Sequence, residues 1–204
     1  MKRPTGLVLG AGAVLLATLS CGGSQHVRVP VPARLDLVPY GHIGLVTFTV
    51  ENAKGSLQQF ATERFSEEVL NAQPGIEVLE LGPLDSELDA ARAQQLGKDR
   101  GVAALFAGHL KVTNPNASGG IAGLLTPHLE ATIRLDLSVR LLSATSGGTL
   151  WRSSAWATQK VGQVALVDGQ LEFAARDPKQ AYGALVNRLV ELVTEDLRPT
   201  WREQ

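Results

Sequence analysis

Cysteine is nearly missing from this chain, at one residue in 204, which excludes an internal disulfide and any metal site built on cysteine. Charge of one sign is missing too. Nineteen Lys and Arg stand against 20 Asp and Glu, so there is no basic footprint for nucleic acid. The four histidines, His26, His42, His109 and His128, occur in no HxH or HExxH spacing, which leaves no metal motif. No serine lies in a GxSxG elbow, and the glycines at 119, 120 and 123 have neither GxGxxG spacing nor a following Lys-Ser or Lys-Thr, so they read as a loop. No apolar run reaches the roughly 18 residues a membrane-spanning helix needs. What is present, 44% hydrophobic and 19% charged residues, describes a globular chain.

The amino terminus reads as an export signal. Lys2 and Arg3 precede thirteen uncharged residues, Leu7 to Leu19, within the span of about 7 to 15 that a signal peptide uses. The segment Ala17-Thr18-Leu19-Ser20-Cys21 then resembles a bacterial lipoprotein box, with a small residue before the Cys, although Thr18 stands where such boxes carry Leu. The resemblance implies removal of residues 1–20 and acylation of Cys21, palmitate among the acyl chains. Two or more chains hold a protein stably where one does not. The absence of Asp after Cys21 resembles an outer-membrane sorting signal, which implies attachment facing the periplasm. Residues 21–39, with Pro30, Pro32 and Pro39, read as a tether or an edge segment. Residues 40–204 have the size of one domain and show no internal repeat.

Periodicity within that domain predicts an α/β fold with a single mixed sheet, helices packed on it, in the order β-α-β-α-β-β-β-α. The run His42 to Val50 is apolar almost throughout and predicts a central strand. A helix is expected from Leu57 to Ala72, with Ser56 and Gln59 as a capping box and Leu57, Phe60, Ala61, Phe65 and Val69 facing the core. Ile76 to Leu81 predicts a strand, Ser86 to Gly97 a helix with Leu88, Ala91 and Leu96 inward, and Val102 to Val112 a third strand. The clearest pattern follows. Leu129, Ala131, Ile133, Leu135, Leu137, Val139 and Leu141 alternate with polar residues, predicting a strand with one wet face. Its seven inward side chains contribute on the order of 10 kcal/mol, nearly all lost in a one-residue register slip. A turn over residues 143–148 leads to a partner strand from Leu150 to Val161, with an edge ribbon around Asp168-Gly169. Asp177 and Pro178 open a last helix whose stripe is Tyr182, Leu185, Val186, Leu189, Leu192, Val193 and Leu197.

Three segments carry a family resemblance: the opening strand and helix with Ile43-Gly44-Leu45-Val46-Thr47-Phe48, the stretch 101–110, and the strand, turn and aromatic return of 140–151. They look like the α/β domain shared by the curli-secretion channel lipoprotein, the lipoprotein activators of penicillin-binding proteins, and the amino-terminal domain of TolB. The resemblance implies a non-catalytic binding or assembly module in the envelope. The alternative it implies is a subunit of a homo-oligomeric secretion complex; a hydrolase would need His, acid and Ser converging in a pocket. The curli channel builds its barrel from strands of about 9 to 11 residues, and residues 114–128 are too few for two of them plus a turn.

Candidate contacts come from exposure rather than from motif. Ile121, Leu124 and Leu125 form the apolar tip of the predicted loop, suited to a partner, a bilayer or a return onto the sheet. Trp151 and Trp156 lie five apart and point to opposite faces of a strand. Trp151 is expected in the core. Trp156 is expected outside, where a large aromatic suits an envelope partner or a second copy of the chain. No cofactor is expected.

Overall fold

A computed structural model of the chain describes residues 28–52, 56–85, 87–113, 129–167, 170–175 and 178–203. Its strands are β1 Arg28–Val31, β2 His42–Val46, β3 Thr49–Glu51, β4 Glu77–Gly82, β5 Ala104–Thr113, β6 Leu129–Ser143, β7 Thr149–Val167, β8 Gln170–Ala175 and β9 Thr200–Glu203. Its helices are α1 Leu57–Ala72, α2 Ala90–Arg100 and α3 Pro178–Val193. One sheet runs β4-β2-β5-β6-β7-β8, with β3 also on β5; β1 and β9 form a separate ribbon. β2 is parallel to β4 and β5, as helical crossovers require, and the β5 to β8 pairs are antiparallel. The α/β reading holds, in the predicted order of elements.

The first dry layer lies between the sheet and α1 with α3. Phe65 packs at a tilt against Phe48 at 5.2 Å and edge-on against Phe106 at 5.2 Å, and Trp151 meets Phe106 at 6.1 Å. Every odd-numbered residue from Ile133 to Leu141 is buried in this cluster. On the other face α2 closes a smaller cluster of Val46, Leu88, Ala93, Val102, Leu105, Leu142 and Ala144. Gly147, at φ 71°, turns β6 into β7, and a side chain there would meet the Ala90 backbone and side chain at 2.6–2.8 Å. Glycine is needed for both reasons. Among the described residues no helix is long and apolar enough to cross a membrane.

Several local expectations are corrected. The strand expected over 42–50 is broken after Val46: the Phe48 amide donates to Thr62 Oγ1 at 2.9 Å, and Phe48 turns its ring over Gly108, where a Cβ would stand 2.5 Å from it. The capping box at Ser56 is not made. Ser56 lies at φ −78°, ψ 3° without a side-chain cap, outside the extended region that caps use, and Gln59 donates to Glu63 instead at 2.8 Å. Asp89, accepting from the Arg92 amide at 2.7 Å, starts α2 four residues later than Ser86 predicts. Leu88 and Leu96 pack inward as expected, with Ala93 and Gly97 beside them, whereas Ala91 is exposed. Phe60 and Leu192 are 38% and 40% exposed, because the buried stripes follow Ala61-Phe65-Val69 and Leu185-Val186-Leu189-Val190-Val193. The folded body also begins before Tyr40: β1 pairs with β9, and Leu37 is fully buried in the core.

Candidate functional site

The sheet face that carries α2 is covered only in part. α2 and the segment before it pack over the Leu105 and Leu142 end. Beyond them, residues directly opposite each other across the ladder share a face, so the register brings one set of polar side chains together. Glu51 faces Lys111, Lys111 faces Asp136, and Asp136 faces Trp156; one step along, Thr49 faces His109, His109 faces Ser138, and Ser138 faces Ser154. At strand spacing of about 4.8 Å this face is roughly 14 Å across.

Trp156 stands there 59% exposed. The Arg134 guanidinium lies over its ring at 4.6 Å and is fixed in that pose by a forked contact to Asp136, with Nη2 to Oδ1 at 2.7 Å and Nε to Oδ2 at 3.0 Å. The hydrogen bonds donated to Asp136 raise the pKa of Arg134 above its ordinary value. Arg134, Asp136 and Trp156 thus form a preset platform, indole below and cation above, rather than three independent side chains. At the α2 border Arg140 donates to the Leu88 carbonyl at 2.6 Å and pairs with Glu87 at 3.2 Å, while Arg152 stands directly across the ladder from it.

A hydroxyl, an imidazole and a carboxylate meet on the same face. Thr49 Oγ1 is 2.9 Å from His109 Nδ1, and His109 Nε2 is 3.5 Å from Glu51. Glu51 is also paired with Lys111 at 3.0 Å, whose hydrogen bond first, and His109 after it, hold its carboxyl below the ordinary value. The three residues lie on the open face of the β3–β5 ladder, where Thr49 stands opposite His109 and Glu51 opposite Lys111. A cleft of about 410 Å³ lies apart from these residues, at the carboxyl ends of β2 and β4, where Thr47, Thr62, Glu63 and Glu80 are among its lining. Among the described residues no three His, Cys, Asp or Glu side chains converge as a metal site would require.

Of the sequence-predicted contacts, Trp156 lies on this face and Trp151 on the dry one, packed against the core. Cys21, Ile121, Leu124 and Leu125 lie outside the described residues, as do His26, His128, the Asp168-Gly169 turn and the Asp177 cap. Sequence reasoning missed Thr49 with His109, which only parallel pairing of distant strands unites, and the ends of the chain as a paired element.

Three solved structures are similar to this chain. The PelC dodecamer from Paraburkholderia phytofirmans is 12% identical, with 84% of this chain and 98% of that one covered, at a TM-score of 0.44. Lipoprotein GNA1162 from Neisseria meningitidis is 14% identical over 76% of this chain and 99% of that one, at 0.41. The LpoB C-terminal domain from Escherichia coli is 15% identical over 61% and 88%, at 0.40. No family model and no curated protein matches the sequence.

Proposed function

We propose that this chain is a lipid-anchored protein of the bacterial cell envelope, exported by residues 1–20 and held by acyl chains on Cys21 at the outer membrane, facing the periplasm. Its folded body acts by binding, without chemistry, and offers the open sheet face to an envelope protein. The observation that carries the binding reading is Trp156, 59% exposed in the middle of a strand and held under a fixed guanidinium. A large aromatic left in water on a regular sheet suits a partner that covers it, and aromatic and Arg side chains are the usual anchors of such contacts. The sole Cys of the chain, placed directly after a small residue at the end of a signal-like run, supports the anchor.

A photoreactive residue at position 156 in the native envelope tests the binding reading, with position 70, on the outer side of α1, as control. A discrete heterologous adduct from 156 and none from 70 is the expected result. Adducts only between copies of this chain would replace the partner by self-association, and adducts from 70 alone would discard the face.

A further inference from the structure

The described chain begins and ends in one element. Arg28 pairs with Glu203 and Pro30 with Trp201, so the segment leading from the amino terminus and the segment closing the chain form a two-stranded ribbon. The chain next to this ribbon is fastened to the body. The Arg34 amide donates to the Asp196 carbonyl at 2.9 Å, and its guanidinium pairs with the Asp196 carboxylate at 3.2 Å. Gln73, just past α1, accepts from the Leu37 amide at 2.6 Å and donates to the Leu35 carbonyl and, at 3.0 Å, to the Leu197 carbonyl. One buried amide thereby ties the two ends of the chain to the same helix.

Trp201 on this ribbon is 67% exposed, more than any other large apolar side chain among the described residues. An indole has a broad apolar body and one N–H donor. Outside a core or a protein interface, the environment that satisfies both is the membrane–water boundary, where Trp is enriched. Chain length selects that environment here. Six residues, 22–27, separate Cys21 from Arg28, so the two Cα atoms lie at most about 25 Å apart even when the chain is fully extended.

We infer that the β1–β9 ribbon is a bilayer-contact element, with Trp201 seated among the lipid headgroups of the leaflet that holds the acyl chains. The body then meets the membrane at two places, and the Gln73 and Asp196 contacts convert that into a fixed orientation of the sheet rather than free swinging on the tether. This inference rests on the reading of Cys21 as the lipid anchor.

The test uses the full-length lipidated protein, reconstituted into vesicles of phosphatidylethanolamine and phosphatidylglycerol with brominated acyl chains. The chain has three tryptophans, and bromine quenches only those at the bilayer. Quenching should be clear in the wild type, fall at least threefold in Trp201→Phe, and persist in Trp156→Phe. Equal quenching in wild type and Trp201→Phe overturns the inference. So does unquenched protein that floats with the vesicles and carries acyl mass on Cys21, and that outcome leaves the anchor intact. Absence of acyl mass on Cys21 overturns the anchor and the ribbon contact together. Crosslinks between copies through position 201 in the vesicles, without quenching, assign the residue to a second copy and also overturn the bilayer contact.

Discussion

The two faces of β6 alternate residue by residue and have opposite fates. Ile133, Leu135, Leu137, Val139 and Leu141 disappear beneath α1 and α3, while Arg134, Asp136, Ser138 and Arg140 remain partly or fully in water. On the dry side each side chain is held by its neighbours, and removing any one leaves a hole. On the wet side the contacts are ion pairs and hydrogen bonds open to solvent, which contribute little to stability and leave the surface available to something else. Stability and the recognition proposed above thus fall to adjacent positions of one strand.

Substitutions test this division directly. Leu137→Ala should destabilise by about 2–5 kcal/mol in urea unfolding, whereas its neighbour Ser138→Ala should stay within about 0.5 kcal/mol. Equal effects would end the comparison. Gly108→Ala, on the dry side, places a Cβ 2.5 Å from the Phe48 ring and should cost about 1–3 kcal/mol by overpacking; Gly148→Ala, with only Ser146 Oγ at 3.3 Å, should cost less. Trp156→Ala should leave the urea midpoint nearly unchanged and reduce partner capture at least tenfold. A loss of fold comparable to Leu137→Ala would show Trp156 to be structural.

The smallest effect is expected at Glu51. Its lowered pKa, caused first by the hydrogen bond from Lys111, means that its contribution is present above the ordinary carboxylate value of 4.5 and is lost as pH falls through the lower folded value. Glu51→Gln should therefore be slightly less stable than wild type at pH 7 and converge with it in acid, read from urea midpoints across pH. Divergence in acid would reverse the sign and discard the pairing.

Much of the fold was legible because its signals are local. The period of two in 129–141 announced both faces of β6, and the five-residue spacing of Trp151 and Trp156 announced their opposite sides. α1 runs over the residues that its apolar spacing indicated, although its cap does not form. Less legible were the places where a distant residue decides. Thr62 breaks the first strand by taking the Phe48 amide, and Asp89, next to the Ala90 that packs on the turn at Gly147, caps α2. The open face was readable as polar residues between apolar ones, but not as a platform: nothing along the chain states that Asp136 will lie opposite Trp156 while gripping Arg134.

By itself the sequence determined the α/β class, the order of elements, the two-sided character of β6, and the single Cys at the end of a signal-like run, since each is a matter of composition or of spacing between near neighbours. The tertiary structure alone decided how far α2 covers the second face, which histidine Thr49 meets, and that residues 28–31 close against 200–203. Those outcomes depend on pairing between segments far apart in the chain, and such pairing leaves no period for a local pattern to reveal.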